Sequence, residues 1–187
     1  MLNAFPKIKA RGFTLIELMI GIVIFAIAMA LGVPSYRAWI QNTQIRNAAE
    51  SIQNGLQRAR GEAVKQNKDV KFVLLGVTPT WTSSWEIDVV NPLTTIESRS
   101  GNEGSKNVTS KGYDGTGVGA AAATTITFSN LGTVVNNANT LRKVVLDSSV
   151  LSAADSRDLW IVIGANGVGG SVKMCDPNAP TTSPTKC

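Results

Sequence analysis

The chain has 187 residues, of which 43% are hydrophobic and 6% aromatic, so it is long enough for one modest domain and an apolar anchor. Its formal net charge is +5, but Lys7, Lys9 and Arg11 precede the first apolar run, and without these three cations only +2 remains, too little to indicate a basic binding face by net charge. The chain contains no histidine, the commonest general base and metal ligand, so we expect neither an enzyme nor a bound metal or other cofactor.

The first long apolar segment runs from Phe13 to Val33 and carries a single charge, Glu17. As an α-helix with a rise of about 1.5 Å per residue, these 21 residues would span roughly 30 Å, the thickness of a bilayer core. A secretory signal peptide has a shorter apolar region of about 7 to 15 residues, although an uncleaved signal anchor would also fit. Because basic residues stay on the cytoplasmic side, the sequence predicts a single-pass membrane protein whose C-terminal part is exported.

Glu17 is unusual, because a carboxylate in an apolar span costs on the order of 2 to 3 kcal/mol and normally has a partner. If the chain were cut between Gly12 and Phe13, the new α-amino group would lie four residues from Glu17. That amine could neutralise the carboxylate in the same helix or in a neighbouring one. The alternative is a Glu17 side chain that extends to the interface or stays protonated.

The run RGFTLIELMI, with a short basic leader ahead of Gly12, Phe13 and Glu17, resembles the type III signal of type IV pilins and pseudopilins. The resemblance implies that a prepilin peptidase removes residues 1–12 by cutting after Gly12, and that the new N-terminus at Phe13 is N-methylated. It also implies that Glu17 pairs with the N-terminal amine of an adjacent subunit and sets the register of assembly. Such a protein starts in the bacterial inner membrane with its C-terminal domain in the periplasm, and ends in a pilus filament at the cell surface.

The apolar segment, residues 13–33, is expected to continue as an amphipathic helix over residues 34–67. Pro34, two residues after Gly32, removes a backbone hydrogen bond, so we expect a kink or a short melted stretch there, the alternative being a plain helix end. Farther along, apolar residues recur every three or four positions, which predicts one buried helix face that ends near Asn67. The apolar positions are Ile45, Ala48, Ile52, Leu56, Ala59 and Ala63.

The stretch LQRARGEAVKQN, residues 56–67, is similar to the "ARSEA" run of the GspH/FimT/FimU branch of minor pilins and pseudopilins. The basic residues here are interpreted as charges on a solvated helix face that need no partner. They are Arg58, Arg60, Lys65 and the following Lys68.

Residues 68–187 are predicted to form a mostly antiparallel β-domain, because helical spacing gives way to short β-type runs bounded by turn residues. The sequence therefore predicts an α+β, type IV pilin-like fold, with the long N-terminal helix packed on this domain. We expect stretch 100–123, rich in Gly, Ser and Ala, to be a mobile surface loop, and a turn at Asn166-Gly167 and Gly169-Gly170 to join the last two strands. The predicted strands are Val70–Leu75, Trp85–Val90, Thr124–Phe128, Arg142–Leu146, Leu159–Ile163 and Ser171–Met174.

Two cysteines, Cys175 and Cys187, lie near the end of the chain. A disulfide that closes a late loop is the simplest interpretation, and it indicates an oxidising compartment. Two free thiols are the alternative. The spacing alone does not exclude a metal pair, but the chain has no further Cys and no His to complete such a site.

Three functions follow from the resemblance. The first is a structural minor pilin at or near the pilus tip that helps prime pilus assembly and contacts other major and minor pilins through its N-terminal helix. The second is a DNA-binding minor pilin for DNA uptake in natural transformation, with phosphate contacts from cations near the C-terminus. The third is a type II secretion pseudopilin, against which the predicted disulfide loop argues, since such a loop is commoner in pilins.

The DNA-binding alternative depends on few cations. Relatives often carry arginines in the last Gly-rich turn, whereas the corresponding stretch here reads NGVGGSVKMC, in which only Lys173 is basic. Phosphate binding needs several clustered cations, so this departure argues against a DNA receptor. The candidate phosphate contacts are Lys173, Lys186, Arg142 and Lys143.

Overall fold

The computed structural model describes residues 12–76, 82–117, 119–164 and 170–187. Within these ranges, one long helix is followed by nine short strands. Helix α1 runs from Leu15 to Gln66. The strands are β1 (Val70–Leu74), β2 (Trp85–Val89), β3 (Thr94–Arg99), β4 (Val108–Tyr113), β5 (Thr125–Phe128), β6 (Val134–Val135), β7 (Lys143–Ser148), β8 (Leu159–Ile163) and β9 (Val172–Cys175).

The chain divides into two compact units, Met1–Arg37 and Ala38–Cys187. In the described part of the first unit, α1 exposes large apolar side chains all around its surface, from Leu15 (77% exposed) to Leu31 (77% exposed). By length and composition, α1 can cross a membrane. The prediction of a long apolar N-terminal helix is confirmed.

Helix α1 continues through Gly32 and Pro34 without interruption. The alternative of a helix that ends at Pro34 is therefore wrong, and so is a melted stretch at that point. Proline still leaves the carbonyl four residues earlier without its usual donor, so the kink at Gly32 and Pro34 stays a prediction.

In the second unit, one face of α1 is buried against the sheets, and this face contains all six predicted apolar positions, each at most 1% exposed. Gly55 lets the helix approach β1 closely, because a Cβ atom there would lie 2.9 Å from a ring carbon of Phe72. Beside it, the indole nitrogen of Trp85 donates a 2.9 Å hydrogen bond to the hydroxyl of Ser51. The prediction of a helix packed on a β-domain is confirmed.

The end of α1 has the hydrogen bonds of a Schellman motif. The amide of Asn67, whose φ is 53°, donates to the carbonyl of Val64 at 3.3 Å, and the amide of Lys68 donates to the carbonyl of Ala63 at 3.2 Å. These bonds satisfy two helix carbonyls that would otherwise lack a donor. The helix therefore ends one residue before the predicted position.

The nine described strands form two sheets, with strand orders β3-β2-β1-β5-β6 and β4-β7-β8-β9, and all their ladders are antiparallel. One face of the second sheet contributes Val144, Leu146, Ile161 and Ile163 to the same buried core that takes in the helix. The opposite face, called the outer face below, carries the alternate residues of these strands.

The expectation of a surface loop over residues 100–123 is wrong for β4, which pairs with β7 over its whole length. Its inward residues, Val108, Ser110 and Gly112, are buried, and small side chains at two of these three positions gave no apolar periodicity to detect. A Cβ atom on Gly112 would lie 2.1 Å from the carbonyl oxygen of Ala123, so the close approach of the chain requires glycine. The expected turn at Asn166-Gly167 and Gly169 lies outside the described residues.

Candidate functional site

The segment predicted to direct assembly lies at the start of α1. Gly12 and Phe13 are exposed and precede the helix, and Thr14 and Glu17 form a capping box at its first turn. The amide and the hydroxyl of Thr14 both donate to Oε2 of Glu17 at 2.9 Å, and the amide of Glu17 donates to the Thr14 hydroxyl at 3.3 Å. The second carboxylate oxygen, Oε1, has no hydrogen-bond partner among the described residues.

The capping box was not predicted, although its signal is visible in the sequence as Thr-x-x-Glu directly before an apolar run. It gives Glu17 a local partner within a single chain, in addition to any partner in an assembly. One oxygen orients the carboxylate, and the other stays available to an amine.

The four cations proposed for DNA contacts do not form one exposed cluster. Lys143 is only 7% exposed, and its ammonium nitrogen lies 5.0 Å from the ring centroid of Tyr113 and 4.6 Å from that of Trp160. It also donates to the carbonyl of Thr116 at 3.3 Å. A cation enclosed in this way does not fit a contact to a DNA phosphate.

The other three cations also contact their own chain. Arg142 donates to the side-chain oxygen of Asn136, Lys186 donates to the carbonyl of Pro177, and Lys173 donates to the carbonyl of Lys186 at 3.4 Å. Binding of DNA by these three residues stays a prediction.

The predicted disulfide between Cys175 and Cys187 is confirmed. The alternative of two free thiols is therefore wrong, and neither sulfur is a free thiolate to hold a metal. Beside the disulfide, Asp176 and Lys186 pair as an isolated bridge, and the amide of Cys187 donates to the carbonyl of Asp176 at 3.4 Å. The tail is thus joined to the end of β9.

The interpretation that the basic residues of the LQRARGEAVKQN stretch need no partner is wrong for three of them: Lys65 pairs with Glu62 of α1 at 3.2 Å, and Arg58 and Arg60 contact residues outside the helix. Arg58 forms an ion pair with Glu97 of β3 at 2.8 Å. Arg60 donates from Nε to the carbonyl of Gly132 at 2.9 Å and from Nη1 to that of Gly170 at 3.5 Å. The sequence carried no signal for these contacts, because both partners of Arg60 are backbone atoms of distant turns.

A pair of carboxyl groups lies where β7 and β8 adjoin: Asp147 belongs to β7, and Asp158 directly precedes β8. The hydroxyl of Ser156 contacts both, at 2.7 Å from Asp147 and 3.2 Å from Asp158. Burial and the neighbouring Asp147 raise the pKa of Asp158 to about 6. The loop between β7 and β8 is held to α1 by the side chain of Asn42. Its Nδ2 donates to the carbonyl of Asp155 at 3.1 Å, and its Oδ1 accepts from the backbone amide of Arg157 at 2.9 Å.

Comparison with known families gives two matches in different parts of the chain. Residues 7–33 match the prokaryotic N-terminal methylation motif. Residues 48–167 match the family described as type II transport protein GspH. The second match covers more than half of the chain and takes in the buried half of α1 and most of the β-domain.

Two fimbrial proteins of Pseudomonas aeruginosa are each 35% identical to the chain over 60 residues. The match covers 32% of this chain and 38% of each fimbrial protein, so the chain aligns with well under half of these relatives. Among solved structures, the type IV minor pilin FimU of Pseudomonas aeruginosa PAO1 superimposes with a TM-score of 0.53 at 21% identity, covering 75% of this chain and 98% of FimU. This likeness establishes the type IV pilin-like fold.

Proposed function

Since the chain belongs to the GspH family of type IV pilin-like proteins, we propose that it is a structural minor pilin that helps prime pilus assembly at or near the pilus tip. The observation that carries this proposal is the first part of α1, in which no apolar residue is buried by the described part of the chain. The fold likeness to a type IV minor pilin supports the assignment to a pilus.

An exposed apolar helix explains why membrane insertion and assembly are coupled. In the bilayer, lipid covers the side chains from Phe13 to Leu31. When the subunit leaves the bilayer, like helices of other major and minor pilins must cover the same surface, because exposed apolar area on this scale is unfavourable in water. The proposed partners are therefore other pilins, contacted through α1.

Before assembly, a prepilin peptidase would remove residues 1–12, and methylation would follow on the amine of Phe13. The methylation motif over residues 7–33 supports both steps. Glu17 would use Oε1 to accept a hydrogen bond from the Phe13 amine of an adjacent subunit, while the capping box holds Oε2 in place. The ion pair would offset the cost of a carboxylate in an apolar surrounding.

The proposed location is the inner membrane, with residues 38–187 in the periplasm, and then the pilus at the cell surface. The disulfide supports this orientation, because disulfides persist in the bacterial periplasm and outside the cell.

A second candidate function is a pseudopilin of type II secretion, favoured by the family description over residues 48–167. Both candidates use the same cleavage, helix and packing. They differ in the filament that contains the chain, so fractionation of sheared surface pili separates them.

The test replaces Glu17 with Ala in the full chain, expressed in a piliated bacterium that lacks the native copy. We expect membrane insertion to be retained, and the amount of the chain in purified filaments to fall at least about tenfold through loss of the ion pair. Glu50→Ala is the matched control, since Glu50 lies on an exposed face of α1 and its described ion pair is with Arg46 of the same helix. Normal incorporation of Glu17→Ala would refute the role of Glu17.

A further inference from the structure

The outer face of the second sheet carries an open cavity of about 330 Å³ beside the disulfide. Nothing in the proposed pilin function uses this cavity. No acidic side chain belongs to its lining among the described residues. The lining residues are Thr116, Trp160, Val162, Lys173, Cys175 and Cys187.

Strand register places two lysines on this face, with the cavity residue Val162 between them. Lys143 of β7 pairs with Val162 of β8, and Val162 pairs with Lys173 of β9. Adjacent strands lie about 4.8 Å apart, so the backbones of the two lysines are about 10 Å apart. Trp160 lies on the same face, two residues before Val162 in β8, and pairs with Cys175.

The two ammonium groups lack ion-pair partners within the described chain. Lys143 is buried between Tyr113 and Trp160, with the Thr116 carbonyl as its described acceptor. Aromatic faces stabilise a cation, but they carry no net charge. Lys173 is exposed, and its described contact is the carbonyl of Lys186 at 3.4 Å. Lys173 is therefore the charged side chain among the described lining residues, with the ammonium of Lys143 behind Trp160, and Trp160 and Val162 supply the aromatic and apolar lining.

A cavity of this volume is at the small end of the range for small-molecule sites, about 300 to 1,000 Å³, and it combines apolar walls with a few polar groups, as such sites do. A DNA duplex, in contrast, presents phosphates on a convex surface and needs several clustered exposed cations. The shape and the charge together favour a compact ligand that carries one negative group.

We propose that the cavity binds a small organic anion, namely a ring bearing a carboxylate, about the size of an acidic monosaccharide. The carboxylate pairs with the ammonium of Lys173, which uses one of its three N–H donors in its described contact to the carbonyl of Lys186. The apolar face of the ring packs on Trp160 and Val162. The buried ammonium of Lys143 adds a positive potential from beneath Trp160.

The test is a titration of the full chain with glucuronate, monitored by NMR through the indole N–H resonance of Trp160, which is assigned with Trp160→Phe. The chain is held in micelles of an uncharged ethoxylate detergent, which presents neither sugar nor phosphate. We expect a saturable shift with glucuronate and none with glucose at the same concentrations. A saturable shift of equal affinity with inorganic phosphate would overturn the role of the ring, and no saturable shift with glucuronate would overturn the site.

A charge variant and its control separate this site from general attraction of anions. Lys173→Gln should weaken glucuronate binding about two- to fivefold, as the loss of one exposed ion pair predicts. Lys111→Gln is the matched control, because Lys111 is an exposed lysine of the same outer face, on β4. It should leave binding unchanged, because Lys111 is not among the residues that line the cavity. Equal weakening in both variants, or no weakening in Lys173→Gln, would overturn the assignment. Filament incorporation of Lys173→Gln should stay normal, which keeps the ligand site distinct from the pilin role.

Discussion

Nε of Arg60 donates a hydrogen bond to the carbonyl oxygen of Gly132 at 2.9 Å, although the two residues are 72 positions apart in the sequence. Gly132 lies in the turn between β5 and β6 of the first sheet, and the second carbonyl that Arg60 contacts, that of Gly170, precedes β9 of the second sheet. One helix side chain therefore joins the ends of both sheets. We expect it to contribute more to stability than the other charged residues of α1.

Arg60→Met should lower the free energy of unfolding by about 1 to 2 kcal/mol, because it removes charge-assisted hydrogen bonds and keeps most of the apolar stem. The matched control is Arg58→Met, two residues earlier, which removes one ion pair to Glu97, with the Arg58 side chain 57% exposed, and should cost less than about 1 kcal/mol. Denaturant unfolding of the full chain in detergent, followed by tryptophan fluorescence, compares the two. Equal losses would contradict the special role of Arg60.

Gly170→Ala should be more damaging than an alanine at another left-handed glycine. Gly170 has a φ of +87°, and a Cβ atom there would lie 2.9 Å from the carbonyl oxygen of Gly132. Gly104 has a φ of +85°, but a Cβ atom there would meet no atom of the described residues within 4 Å, so Gly104→Ala should cost only the backbone strain, about 1 to 2 kcal/mol. The loss in unfolding free energy should be larger by roughly 1 kcal/mol or more for Gly170→Ala. Similar losses for the two variants would show that the turn before β9 relaxes.

Because of the Asp147–Asp158 pair, we expect the free energy of unfolding to fall as pH rises. The pKa of Asp158 is raised from 3.8 to about 6, so the folded chain keeps a proton that the unfolded chain has already lost between these values. The stabilisation is complete below about pH 4 and is lost as pH rises through about 6.

The measurement is the denaturant midpoint at pH 5 and at pH 7.5. The wild-type midpoint should be lower at pH 7.5, and Asp158→Asn should reduce this difference, because the amide does not titrate. Asp69→Asn, which removes an exposed carboxylate, should leave the difference as in the wild type. An unchanged difference in Asp158→Asn would exclude Asp158 as its source.

Removing the disulfide should destabilise the second unit. The bond joins residues 12 positions apart. Closing a loop of this length lowers the conformational entropy of the unfolded chain, and this stabilises the folded chain by about 2 to 3 kcal/mol. The double change Cys175→Ser and Cys187→Ser should lower the unfolding free energy by that amount in the same fluorescence assay. A double variant as stable as the wild type would show that the tail contacts alone hold the loop.

Much of the fold could be predicted from the sequence, because large apolar side chains in a regular spacing mark the elements that bury them. The helix face from Ile45 to Ala63 and the strand Leu159–Ile163 have the predicted bounds. Strand β4 was missed because its inward positions include Ser110 and Gly112, which fill a tight space without an apolar pattern. Strand β3 was missed because it lies at a sheet edge with mostly exposed residues.

The candidate sites depended more on tertiary structure. The leader and Glu17 are local in sequence, so their pattern is readable, and the Thr14–Glu17 capping box was equally readable but was not inferred. Lys143 shows the opposite case. In the sequence it stands beside Arg142, and two adjacent cations are typical of an exposed surface. Strand pairing instead places its ammonium between the rings of Tyr113 and Trp160, and no local sequence pattern shows this contact.

Mass spectrometry of sheared surface pili, from cells that express the chain, would show whether it is a processed subunit of a type IV pilus. We predict a minor component whose N-terminal peptide starts at Phe13 and carries a methyl group, with Cys175 and Cys187 disulfide-bonded. Absence of the chain from pili, while a processed form accumulates in the membrane of piliated cells, would contradict it.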